Sequence, residues 1–490
     1  MYFYYYFNNI MSEKQDSKET AEKNAPPKEK KEKKTKKKGN SNLKIMEWRF
    51  NQFLGEKLTY EQIKEDPENE SFLVTDIKFS GDGENVAVSD KGGRVIIFKK
   101  TDSKKGTPKL EYYYEFPAQE KDFDAHKSIE YSEEIKALEI MPSSNYNKID
   151  ILTAGYRTIK LDRIYQDQIA KYDKDDKKES KDNLIPKFIS SKPEVKNTKK
   201  KLFLSNNSGE INSLSVNKEN PNNFISSDEY KVYLWDINCS QSDLYTPVDI
   251  DPMTDSTTAE RITKATYVDY NPHIFIYGTS NGNIRVCDLR TSSEQLKFET
   301  TYKDEKSDMN SAIANSLLSV HDISTVLCDK YSFATRHYFS INLWDIRKQN
   351  EPSSKFLTYE PIINKLSYLY QNNYINDKFS LSTDNTGKFI LTGGYNNMFH
   401  VIDTEQRLNT QIVIDDTNEK TMNTNVIRKI NAKGSCFYKK DDQSINNINF
   451  DKKITHQVYS PVENYSLLIL YNCIYSYSGR ILDNYNNMHQ

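Results

Sequence analysis

Histidine, the side chain best suited to acid–base chemistry near neutral pH, occurs only seven times in 490 residues. His126 lies two positions after Asp124, and His337 follows Arg336, so either pairing could be read as a proton-transfer dyad. Isolated histidines more often satisfy turns or surface positions, and neither pair sits in a recognisable catalytic frame. No H-E-x-x-H zinc pattern and no Walker phosphate loop occurs. Gly81-Asp-Gly-Glu-Asn-Val86 begins like a dinucleotide-binding fingerprint but lacks its third glycine and the helical pattern that should follow. The cysteines (Cys239, Cys287, Cys328, Cys436 and Cys473) form no C-x-x-C pair, which argues against structural zinc and for a reducing compartment. Carboxylate pairs such as Asp228-Glu229 recur where strands begin, and turn chemistry already accounts for them. The expectation is a binding platform with no catalytic residues, no metal and no cofactor.

Platforms need elements that hold their surfaces in place, and the chain's texture says which. Residues 1–43 carry eleven Lys against six Asp and Glu, a net of +5, so the rest of the chain, at −7, is mildly acidic. The run Lys28-Glu-Lys-Lys-Glu-Lys-Lys-Thr-Lys-Lys-Lys38 repels itself and buries nothing, which predicts a disordered tail. The aromatic start Met1–Ile10 is too short to span a bilayer, and no other apolar run approaches the required length. A membrane protein is therefore not expected. A near-balanced charge excludes a general polyanion binder, and the acidic body favours basic protein partners over nucleic acid.

Past residue 44, short stretches of period-two alternation recur between Asn, Asp, Gly and Ser turns. One segment repeats: a turn cluster, a β-branched strand and often a closing Asp. It runs through Asp90–Phe98, Gly155–Asp162, Asp228–Asp236, Asn281–Asp288, His337–Asp345 and Gly394–Asp403, with a weaker copy at Asn472–Tyr477. Aligned on Val95, Ile159, Val232, Ile284, Ile341, Phe399 and Ile474, the copies are 64, 73, 52, 57, 58 and 75 residues apart. A WD-repeat blade needs roughly 40–45 residues, so each fits with room for insertions. Leu-Trp-Asp at 234–236 and 343–345 is the WD signature. A four-stranded blade cannot bury both faces alone, whereas a closed ring buries them all. The fold expected is all-β: a seven-bladed WD-repeat β-propeller over residues 44–490, with Lys44–Phe50 placed to join the last blade and lock the ring. Residues 165–201 read as a projecting arm inserted in the second blade, and 404–447 as a polar insertion before the last blade.

Particular strings go beyond a generic propeller. Glu47-Trp-Arg-Phe50, Asp90-Lys-Gly-Gly-Arg-Val95, Asp122-Phe-Asp124, Lys127-Ser-Ile-Glu130, Ile211–Asn217, Ile284–Arg290, Asn373–Phe379, Thr392-Gly-Gly-Tyr-Asn-Asn397 and Asp451-Lys-Lys-Ile454 are similar to the B-type WD-repeat regulatory subunit of protein phosphatase 2A. The resemblance covers about residues 44–478. It implies a non-catalytic regulatory subunit of a heterotrimeric serine/threonine phosphatase. The arm would grip a helical-repeat scaffold subunit, and an acidic groove on the propeller top would recruit phosphoproteins with basic flanks to a separate catalytic subunit.

The resemblance places the groove at Glu70, Lys91, Asp228, Thr258, His337 and Asn342. Thr258, His337 and Asn342 depart there from the family's Leu, Asp and Lys. The scaffold-binding residues implied are Leu184, Ile185, Pro186, Phe188, Lys199 and Lys200. Cytoplasmic localisation follows, with the Lys-rich tail leaving nuclear import open. The rival readings are another WD-repeat scaffold, such as a ubiquitin-ligase adaptor, and a propeller enzyme, which lacks the clustered His, Asp and Glu it would need.

Overall fold

In the computed structural model the described residues are 45–55, 60–102, 108–119, 121–124, 129–142, 148–172, 188–204, 210–238, 245–250, 260–290, 300–302, 317–325, 329–348, 351–358, 366–405, 408–413, 428–431 and 448–482. The Lys-rich tail lies outside them, as does its expected disorder.

β-branched and aromatic residues between Asn, Asp, Gly and Ser turns give short antiparallel strands, which assemble into seven blades. The first blade is Val74–Phe79, Asn85–Asp90, Arg94–Asp102 and Pro108–Pro117. The second is Ala137–Ile140, Lys148–Ala154, Thr158–Tyr172 and Phe188–Leu204. Ser213–Val216, Asn223–Ser227, Lys231–Asp236 and Tyr245–Asp249 make the third. Ile262–Val268, Asn271–Thr279, Ile284–Asp288 and Thr300–Tyr302 make the fourth. The fifth is Asp322–Ser324, Ser332–Arg336, Ser340–Asp345 and Ser354–Leu357. In the sixth, Leu381–Thr383, Phe389–Gly393, Met398–Asp403 and Leu408–Val413 gain a fifth strand, Arg428–Asn431. The seventh takes Ile454–Tyr459, Tyr465–Leu470 and Cys473–Leu482 from the end of the chain and Ile45–Leu54 from its beginning.

The first strands of successive blades touch in order, and that of the seventh touches that of the first, so the ring closes. The expected clasp by the N-terminal strand is present. All seven register residues, Val95 to Ile474, lie on the third strands of their blades and are buried.

The apolar core is divided among the interfaces between neighbouring blades, each with its own cluster. Adjacent residues of one strand serve different interfaces because side chains alternate across a sheet. Leu467 and Ile469 pack towards the first blade, while Leu468 and Leu470 pack towards the sixth. That explains why Leu467-Leu-Ile-Leu470 reads as an unbroken apolar run: both faces of an inner strand are covered.

Strands within a blade alternate in direction, so the connections sort onto two faces of the ring. Turns between second and third strands, and segments leading into first strands, share one face, here the turn face. Loops between third and fourth strands lie on the opposite face.

The arm is the hairpin Thr158–Tyr172 with Phe188–Leu204, and it leaves from that opposite face. Up to Tyr165 its first strand also pairs with Lys148–Ala154; beyond that it pairs only with its partner strand. The structure thus turns part of the expected insertion into blade: Lys196 and Thr198 belong to the outer strand, opposite Tyr165 and Arg163. The 404–447 segment is corrected likewise. Leu408–Val413 is the fourth strand of the sixth blade, paired along Met398–Asp403, while 414–427 and 432–447 lie outside the described residues.

Candidate binding face

The Asp that closes the third, fourth, fifth and sixth repeats has one local job. Asp236 accepts the amide of Asn238 at 2.7 Å, Asp288 that of Arg290 at 3.0 Å, Asp345 that of Arg347 at 3.0 Å and Asp403 that of Glu405 at 3.0 Å. Each carboxylate holds the tight turn that follows its strand. The Arg290 and Arg347 guanidiniums bind their carboxylates as well and hold Asp288 and Asp345 below the usual carboxylate range.

On the turn face the first blade brings two predicted groove residues together. Glu70, in the short helix Pro67–Ser71, accepts from the Lys91 ammonium, and both remain substantially exposed. The Asp-Lys-Gly-Gly-Arg string builds this feature. Asp90 accepts the Arg94 amide at 2.9 Å, Gly93 takes φ 80°, and the Gly92 amide reaches the Ser71 carbonyl at 2.8 Å. A side chain at Gly92 would crowd Ser71.

Asp228 is a different matter. Its expected exposure is corrected by the structure: the residue is 2% exposed. One carboxylate oxygen accepts the amides of Tyr230 at 2.8 Å and Lys231 at 2.6 Å, and the other accepts the Tyr233 hydroxyl at 3.2 Å. Glu229, its neighbour, faces outward and meets Arg261 of the fourth blade at 3.4 Å. His337 occupies the same turn in the fifth blade and is also buried, with Nδ1 on the Leu318 carbonyl at 2.8 Å and Nε2 on the Thr335 hydroxyl at 3.0 Å. The neighbouring Arg336 reaches the His337 carbonyl and the Thr358 hydroxyl, so the two side chains form no dyad. Asn342 lies inside a third strand, 2% exposed. Thr258 and His126 lie outside the described residues. The predicted groove residues that are described therefore stand on blades one, three and five, with blades two and four between them.

What fills the gap was missed in the sequence, apart from Glu229, which was read there only as part of a turn. Glu133, Glu134, Glu210, Glu229 and Glu260 rim the turn face across blades two to four, beside Lys136, Arg157 and Arg261. Lys136 bridges blades two and three, 2.9 Å from Glu134 and 3.8 Å from Glu210. Glu133 accepts the Tyr156 amide, leaving the Tyr156 ring exposed over Lys136. Glu260 is consumed internally by Arg285 at 3.0 Å, Thr279 at 2.6 Å and Asn283 at 2.7 Å. Glu210 and Glu229 keep the most freedom, so the rim is modestly acidic and its ion pairs are open to exchange with a basic ligand. The missed signal was positional: most of these carboxylates immediately precede a first strand.

Gly278-Thr-Ser-Asn-Gly282 matches the G-x-S-x-G pattern of hydrolase nucleophiles, but it joins two strands, with no helix after it, and Ser280 accepts the Arg261 amide at 3.1 Å. Among the described residues no group of three His, Cys, Asp or Glu is placed to hold a metal, and no helix is long and apolar enough to cross a membrane.

Of the expected arm contacts, Leu184, Ile185 and Pro186 lie outside the described residues. Phe188 pairs with Tyr172 and Lys199 with Asp162, and Lys200 is the extra residue of a bulge beside them.

Fold and faces together define a class: a seven-bladed β-propeller, consistent with a WD-repeat protein. No family model matches the chain. Among solved structures it is similar to Raptor from Chaetomium thermophilum, at 13% identity and a TM-score of 0.49, over 83% of this chain and 28% of that one. The chain spans less than a third of the length of that protein.

Proposed function

We propose that this propeller is a non-catalytic regulatory subunit of a protein phosphatase 2A heterotrimer, holding a scaffold subunit by its arm and substrates by its turn face. The observation that carries the reading is the hairpin of the second blade. Past Tyr165 it pairs only with itself, and it leaves the ring opposite the acidic rim, which separates two binding surfaces on one rigid body. The phosphatase-like strings support the same reading. Asp-Lys-Gly-Gly-Arg builds the Glu70–Lys91 feature on the turn face, and Gly-Tyr-Asn-Asn closes the sixth blade with Asn396 and Asn397 both at positive φ, a turn that suits tight hairpins.

The mechanism is tethering. A basic segment flanking a phosphorylated Ser or Thr exchanges for Arg261 or Lys136 at Glu229 and Glu210, and the bound phosphoprotein gains an effective concentration in the millimolar range at the catalytic subunit. The active site and its metals belong to that other subunit, and the setting is cytoplasmic. Affinity purification with mass spectrometry tests the reading. Recovery of a helical-repeat scaffold and a phosphatase catalytic subunit, lost when residues 168–193 are replaced by a two-residue turn, is the expected result. Recovery of ubiquitin-ligase components in their place overturns it.

A further inference from the structure

The innermost strands and the segments leading into them enclose a cavity of about 300 Å³ on the ring axis, and its wall is unusually rich in ammonium groups. Lys78, Lys136, Lys264 and Lys378 come from blades one, two, four and six. Their carboxylate partners are unevenly shared. Lys78 is matched by Glu139 at 2.8 Å, and Lys136 by Glu134 at 2.9 Å.

Asp76 and Asp322, also in the wall, are engaged as staples between blades. Asp76 accepts the amides of Ile77 at 2.8 Å and Leu138 at 3.1 Å, and Asp322 those of Ile323 at 3.0 Å and Leu381 at 2.7 Å. Lys264 reaches Asp322 only at 3.5 Å. Lys378 has no carboxylate within ion-pair distance among the described residues; Glu210, a third carboxylate of the wall, and Glu229 act on it only from further off. The residue as a whole is exposed, and it lines the cavity.

We infer that the mouth of the axial channel binds a small phosphate or pyrophosphate anion, held by Lys378 and Lys264 with Lys136 beside them. An anion there supplies a counter-charge to Lys378, which has none within ion-pair distance, and to Lys264, whose partner Asp322 is already held by two backbone amides, in a recess that partly excludes water, where a charge-assisted hydrogen bond is at its strongest. The burial of Lys378, and then the positive charges of Lys136 and Lys264, lower its pKa from the usual lysine value, and the more distant Glu210 and Glu229 only partly compensate. His321 and His456 in the same wall stay neutral at pH 7, pushed down first by burial, and add no competing charge.

The test is calorimetric titration of the full chain with inorganic pyrophosphate at low and moderate salt, beside melting curves. Saturable binding that weakens about tenfold or more in Lys378→Glu and less in Lys378→Ala is expected. Lys348→Glu makes the same charge change at an exposed site on the arm face and should leave binding intact. Absence of saturable binding overturns the inference, as does equal weakening by Lys378→Glu and Lys348→Glu. Lys378 is exposed enough for its variants to fold, and their melting temperature without ligand checks that.

Discussion

Asp228 and His337 are the same residue of two blades. Each stands two positions after the hydroxyl that receives the blade's tryptophan: the Trp235 indole donates to Ser226 at 2.8 Å, and the Trp344 indole to Thr335 at 2.9 Å. Each is followed by the turn into the third strand, and each is buried. In the third blade a carboxylate takes the turn amides; in the fifth an imidazole links the hydroxyl to the carbonyl of Leu318. Position within the blade sets the burial, and residue type sets which polar groups the side chain satisfies.

Asp228→Lys is accordingly expected to fail as a groove variant and register as a stability variant. It orphans two turn amides and a tyrosine hydroxyl and buries an ammonium in their place, a loss of about 3 kcal/mol or more. Chemical denaturation should show a clear drop in midpoint. An unchanged midpoint would return Asp228 to the surface.

Glu229→Lys is expected to do the opposite. The residue is half-exposed and its partner Arg261 is exposed, so folding should change little. Affinity for a basic phosphopeptide should fall about tenfold, roughly 1.4 kcal/mol, with the loss shrinking at high salt. Peptide titration at two salt concentrations reads this directly.

Replacing residues 168–193 by a two-residue turn should leave the ring's melting temperature almost unchanged, because the described residues of that stretch, 168–172 and 188–193, pair only with one another. Extending the deletion to residue 199 should lower it, since Lys196 to Thr198 complete the outer strand of the second blade opposite Ile164 and its neighbours. Circular-dichroism melts of the two deletions separate arm from blade.

Gly393→Ala should be among the most damaging single changes. A methyl group there would collide with the Ile454 carbonyl, in the backbone of the next blade, so the interface between blades six and seven must open. Gly81→Ala, with nothing within 4 Å, is the matched control and should be nearly neutral. Soluble yield and melting temperature compare them.

Stability should also fall in mild acid. Burial lowers the pKa values of His321 and His456 from the ordinary value of 6.5; for His321 the charges of Arg336, His337 and Lys378 add to it. A histidine lowered on folding takes up its proton more readily in the unfolded chain, so stability is full above about pH 6.5 and declines below it. Urea midpoints from pH 8 to pH 5 should follow that sign, and His321→Gln should flatten the slope.

How much of this was legible before folding divides along physical lines. Strand identity, blade number and the clasp followed from local signals: period-two alternation, turn residues, and the seven marks from Val95 to Ile474, all of which fall on third strands. Local geometry is written in neighbouring residues, and a blade must meet another blade to bury its second face. Exposure was not legible in the same way. Asp228 and Glu229 are adjacent and chemically alike, and only the direction of the turn decides that one is consumed by backbone amides while the other faces solvent. The channel lysines, spread from residue 78 to 378, share no motif; closing the ring brings them to one axis, because convergence of distant first strands is a property of the closed circle and of no segment in it.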